Sequence, residues 1–196
     1  MALALSVARE FVKLSLSGDE ADPLTRFRLH KLLYYAQAWS LVVRESELFA
    51  DDLEAWRNGP VVGAIHDSLP EVSLGDELRD VPELVGDEAE FVGRVWSAYK
   101  RHSASRLSEM TRQEKPWLKA WREGSGKDPI SVTDLDDFFD HQAMPAPLAA
   151  YAHELRRKEE QARRALADLP PLDEGRLIAA AKSFTPSASH PRPDGG

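Results

Sequence analysis

The stretch FRLHKLLYYAQAWSLVV, residues 27–43, constrains the chain more than any other. Leu29, Leu32, Leu33, Ala36, Ser40 and Val43 recur at i, i+3, i+4 spacing, the period of one helix face. Apolar residues also fill much of the remaining circumference, so the helix has to be covered on several sides. It is expected to be the long, largely buried centre of the fold, opened by Pro23 and Thr25. Its aromatics Tyr34, Tyr35 and Trp39 suit a core or its rim better than a cofactor box.

Helical patterning dominates elsewhere. Residues 2–16 put Leu5, Ala8, Val12 and Leu16 on one stripe, closed by Gly18. Residues 53–57 alternate as a short strand, Asn58-Gly59 signals a turn, and Pro60 suits the first turn of a helix running to about Leu69. A loop rich in Asp, Glu, Pro and Gly covers 70–86, and helices follow at 87–102, 104–111 and 116–122. DPISVTDLDDFFDH predicts a short extended piece, then a helix from Thr133 with Asp136 and Asp137 in its first turn. APLAAYAHELRRKEEQARRALA, residues 146–167, is a charged helix with a narrow seam of Leu148, Tyr151, Ala152, Leu155 and Ala162. The final TPSASHPRPDGG has nothing apolar to dock and is expected to be disordered. The expected fold is mainly α: a compact helical domain around a central buried helix, with a small short-stranded β element. A domain over 1–142, a charged helical extension over 143–169 and a mostly disordered tail over 170–196 are expected.

Composition narrows the function classes. The 196 residues, 42% hydrophobic, can bury one good core. No run approaches the roughly 18 apolar residues of a membrane span. The first residues, MALALSVAREFVKLSLSGDEADP, carry charges inside the apolar pattern, which fits an amphipathic helix and not a signal peptide. The absence of cysteine removes thiolate chemistry and disulfides, and a cytoplasmic protein is the expectation. From Glu45 to Glu90 there are 14 acidic residues against two arginines; from Lys100 to Lys127 there are eight basic against three acidic. That division does not resemble the basic footprint of a nucleic-acid binder. It reads either as solvated faces or as fields that steer a protein partner.

The sharpest enzymatic alternative is an HD-type metal phosphohydrolase, with His30, then His66-Asp67, then an aspartate between 134 and 140 as ligands. The signal is weak, because adjacent His-Asp pairs arise often by chance. No nucleophile elbow, phosphate-cradling glycine loop, zinc-protease helix or calcium loop is present. No catalytic residue, metal site or cofactor is assigned from the residues.

Two motifs in register carry a resemblance. KLLYYAQAWSLV, followed about ten residues later by LEAWRNGPVV, resembles the Panacea domain family of SocA-like antitoxins, which includes phage-associated GepA-like proteins. LSEMTRQEKPW takes the place of a third family segment, and the resemblance runs from about residue 5 to residue 142. Three positions depart from the pattern: His30 stands where glutamine is common, His66 where an aromatic is usual, and Arg112 in place of a histidine. The resemblance implies an antitoxin that neutralises a cognate protein toxin by direct contact, or an adaptor that delivers the toxin to a protease. It implies no catalytic residues.

The candidate contact surface is the joint of Trp56, Arg57, Gly59, Pro60, Val61 and Val62, joined by exposed aromatics of the neighbouring helix, Tyr34 and Tyr35. Trp56 and Arg57 are residue types enriched at interface hot spots. The alternative for Trp56 is a plug in the core between strand and central helix. The 146–167 helix is expected to be partly exposed and suited to partner binding or a homodimer.

Overall fold

The computed structural model describes residues 1–17, 24–122 and 126–168. Chain contacts divide it into one unit over Met1–Arg156 and a second over Arg157–Gly196. In the first unit α1 (Ala4–Leu16) precedes α2 (Arg26–Arg44). Thr25 caps α2 by accepting the amide of Arg28 on its side chain, which satisfies one of the free donors at a helix start. Residues 28–40 of α2 are all buried, as the near-continuous apolar pattern requires. Gly18 and Pro23 lie outside the described residues.

After α2 come β1 (Leu53–Trp56) and β2 (Gly59–Val62), an antiparallel hairpin with Trp56 opposite Gly59. Pro60 therefore does not open a helix; it sits inside β2, and the helix, α3 (Gly63–Ser68), starts three residues later. The physical reason lies in the turn. Gly59 has φ +100° while Arg57 and Asn58 keep negative φ, the sign pattern of a turn closed by a glycine bulge that sends the chain back along β1. Pro60 is tolerated because β2 is an outer strand of the sheet, whose order is β2-β1-β3.

The acidic stretch after Leu69 is interrupted by α4 (Leu74–Glu77), a short turn of helix where only a loop was expected; Leu74 anchors it in the core. Then follow α5 (Gly86–Tyr99), α6 (Ala104–Gln113), α7 (Lys115–Ala120), β3 (Asp128–Pro129) and α8 (Val132–Phe139). Ser131 caps α8 by accepting the amide of Asp134, so the helix begins at Val132. That places Asp134 in its first turn, and Asp136 and Asp137 come later. The three strands together cover few residues, and the fold is mainly α.

Helix α9 (Ala146–Ala167) spans the boundary between the units. In the first unit Leu148, Tyr151 and Ala152 are buried and Leu155 is partly buried; the Tyr151 ring lies 5.7 Å from that of Phe91. In the second unit residues 157–168 are exposed. The expected tail from residue 170 lies outside the described residues.

Candidate functional site: the hairpin and the cleft beside it

The hairpin is held from outside by side chains of three separate segments. Trp117 Nε1 of α7 donates to the carbonyl of Trp56 at 3.1 Å. Ser108 Oγ of α6 donates to the carbonyl of Asn58 at 2.9 Å. Lys31 Nζ of α2 donates to the carbonyl of Pro60 at 2.8 Å. Two residues further along, the amide of Val62 donates to His30 Nδ1 at 3.3 Å. Alternate backbone groups from 56 to 62 are thus each satisfied by a side chain. Gly59 has no room for more: a Cβ there would lie 2.9 Å from both Lys31 Cε and Thr111 Oγ1.

Two further contacts tie the α2 motif down. Tyr35 donates its hydroxyl to Glu114 Oε1 at 2.9 Å, and its ring stacks on Tyr99 with centroids 4.1 Å apart. Gln37 takes the amides of Leu48 and Phe49 on Oε1 and donates to the Phe49 carbonyl at 3.1 Å, which fixes the link from α2 to β1. Burial pushes the Glu114 carboxyl up to about 7, against the hydrogen bonds from the tyrosines. It raises the hydroxyls of Tyr34 and Tyr35 well above their usual range, with the Glu114 charge acting in the same direction.

These positions correct several expectations. Tyr34 and Tyr35 are 0% and 1% exposed; they are core residues and not exposed aromatics of a contact surface. Gly59, Pro60, Val61 and Val62 are buried as well. What the joint shows to solvent is Arg57 and Asn58, beside a half-buried Trp56. Trp56 is not a plug under the strand. Its ring lies 4.6 Å from His66 with Lys127 Nζ 5.5 Å away, and its Nε1 donates to Glu54 at 2.6 Å.

Beside the hairpin, the start of α2 and α3 close a cleft of about 240 Å³ bordered by Phe27, His30, Lys31, Trp56, Arg57 and His66. Burial, and after it the charge of Lys31, lowers His30 to about 3, so its ring is neutral. Lys31, 0% exposed, is lowered to about 7 by burial and then by Arg112. His30 and His66 have ring centroids 6.2 Å apart, but His30 spends Nδ1 on the backbone. Asp67 is exposed. Among the described residues no three His, Asp or Glu side chains are placed to hold a metal ion, and no helix is long and apolar enough to cross a membrane.

Lys31, Ser108, Thr111, Glu114 and Trp117 stand inside the KLLYYAQ and LSEMTRQEKPW motifs, but neither motif assigns these side chains to the hairpin. The available signal was a lysine in the middle of an apolar helix run, since such a charge is buried only when something binds it.

Comparison with known proteins gives one finding. The family model described as antitoxin SocA-like, Panacea domain, matches residues 29–118. That span contains every residue of the hairpin and all the side chains that hold it. Neither the curated proteins nor the solved structures yield a match.

Proposed function

We propose, from the match of residues 29–118 to the SocA-like Panacea domain model, that the chain is an antitoxin that neutralises a cognate protein toxin by direct contact, without catalysis. The observation that carries this reading is the coincidence of the matched span with the clamped hairpin. The segments that the resemblance rests on are the ones whose side chains fix residues 56–62. A clamped turn offers its outward side chains in one geometry, so little ordering entropy is lost on binding. On this reading Arg57 and Trp56 are the anchors, and Gly59, Pro60, Val61 and Val62 shape the turn beneath them. The acidic stretch after Val43 steers a basic toxin, an effect that weakens as salt shortens screening to about 8 Å.

The test is co-expression with the protein encoded beside this one, where that protein alone arrests growth. Rescue and a co-purifying complex are expected. Arg57→Ala should cost at least about 2 kcal/mol of binding with an unchanged melt, as a hot spot does. Arrest that persists at equal expression, with no complex, would remove the antitoxin reading.

A second reading is delivery of the toxin to a protease. It draws on the exposed, charged residues 157–168, which would supply the second recognition element an adaptor needs. Toxin loss that depends on a protease, and stops when residues 157–196 are deleted, would favour it.

A further inference from the structure

The cleft beside the hairpin has a chemistry of its own. His30 accepts the Val62 amide on Nδ1, so its neutral ring carries the remaining proton on Nε2. That Nε2–H is buried and has no hydrogen-bond partner among the described residues. Native proteins rarely leave a buried donor unmatched, and His30 borders the cleft.

The charges around it are mostly positive. Lys31 and Arg57 border the cleft, and Arg57 is exposed. Arg26 also borders it but is paired with Glu71 at 3.2 Å, while its Nη1 donates to the carbonyls of His66 and Leu69. Among the described residues Glu71 is the one carboxylate on the border, and its other oxygen accepts the amide of Phe27. Phe27, Trp56 and Val61 supply apolar wall. A net positive cleft in a chain of formal charge −8 is a local exception.

Size decides between occupants. About 240 Å³ falls below the roughly 300–1,000 Å³ of small-molecule sites, but it accommodates one side chain. Apolar wall suits a methylene stem, and a donor with flanking cations suits a carboxylate.

We propose that this cleft seats the carboxylate of a single acidic side chain, Asp or Glu, from the protein partner. The proposal rests on the antitoxin reading and names the chemistry of one contact within it. Arg57 at the mouth meets the carboxylate first, and His30 Nε2–H donates to it at depth. Trp56 and Phe27 flank the stem. Attraction of a basic toxin by the acidic stretch after Val43 is compatible with this, since the two act on different parts of the surface.

The test is NMR of the full chain carrying ¹⁵N-histidine, titrated separately with blocked glutamate (N-acetyl, N-methylamide), blocked glutamine and inorganic phosphate. Blocked glutamate is expected to shift the His30 Nε2 resonance saturably and to bind more tightly than blocked glutamine. Arg57→Ala, at an exposed position that leaves the fold intact, should weaken the glutamate by about tenfold, or 1.4 kcal/mol. An unmoved His30 resonance, equal binding of the two amino acids, or phosphate binding as well as glutamate would each overturn the proposal; the last would mean a general anion site. The growth-rescue assay, run in parallel, separates the two readings. Rescue with a silent His30 overturns the cleft and leaves the antitoxin. A shifted His30 without rescue or complex overturns the antitoxin and leaves a carboxylate site.

Discussion

Lys31 and Pro60, 29 positions apart, meet in the interior, with the ammonium donating to the proline carbonyl at 2.8 Å. The contact joins the central helix to β2, just after its turn. Proline contributes no N–H, but its carbonyl is as good an acceptor as any other. A wholly buried lysine is tolerated because this bond, and the Phe27 ring 4.9 Å from Nζ, replace part of its hydration.

The cost of burying that charge varies with pH. Lys31 is lowered from 10.5 to about 7 in the folded chain. The unfolded chain therefore holds the proton more firmly, and stability falls as pH drops from about 10.5 to 7. Lys31→Met removes the bond and the buried charge together. It should destabilise less at pH 6 than at pH 9, read as denaturation midpoints of both proteins. A larger loss at pH 6 would contradict the burial argument.

Gly59 and Gly93 should answer an alanine differently. At Gly59 the new Cβ would meet Lys31 and Thr111 at 2.9 Å, with φ +100° besides; about 2 kcal/mol or more should be lost. Gly93 lies inside α5 with nothing within 4 Å of a new Cβ. There Gly→Ala should stabilise by about 0.4–1 kcal/mol. Thermal melts of the two variants check both signs.

Glu114 gives the opposite pH dependence from Lys31. Its folded value of about 7 stands above the usual 4.5. An acid with a raised folded value stabilises when protonated, so its contribution is lost as pH rises from about 4.5 through 7. Glu114→Gln keeps an acceptor for Tyr35 and removes the charge. Relative to the parent, the variant should gain on the order of 1–3 kcal/mol between pH 5 and pH 8. His30, lowered to about 3, opposes this in the acid range but cancels in the difference between the two proteins.

Within α9, Leu148 is 0% exposed and Leu166 is 70% exposed. Leu148→Ala should cost about 2–5 kcal/mol, and Leu166→Ala less than about 0.5 kcal/mol. Hydrogen exchange should likewise be slower near Tyr151 than near Leu166. Equal protection along the helix would mean that its distal part is covered.

The helices were readable because their apolar periods are long and uninterrupted, as in α2 and in the seam of α9, whose bounds 146–167 match the expectation. The Asn58-Gly59 turn was readable too. Pro60 is ambiguous in the sequence because the same residue suits a helix start and an outer strand, and only pairing with β1 decides between them. Tyr34 and Tyr35 lie in the core and not on a contact surface because α2 is covered on all sides along residues 28–40, which one helix period does not reveal. The segments of the clamp are legible as the KLLYYAQ and LSEMTRQEKPW motifs, but their convergence is not: Ser108 and Trp117 find the hairpin across 50 and 61 residues, a separation to which local patterning is blind.

The outer flank of β2 offers a last consequence. Pro60 has no N–H, its carbonyl is taken by Lys31, and the Val62 amide is taken by His30. The opposite outer strand, β3, is two residues long and also contains a proline, Pro129. An exposed strand flank normally invites another chain to add itself to the sheet, which is how fibrils and many peptide complexes grow. Here the invitation is withdrawn on the β2 side and shortened on the other. Any protein that docks on this hairpin has to be recognised by side chains, and copies of the chain cannot readily polymerise through β2.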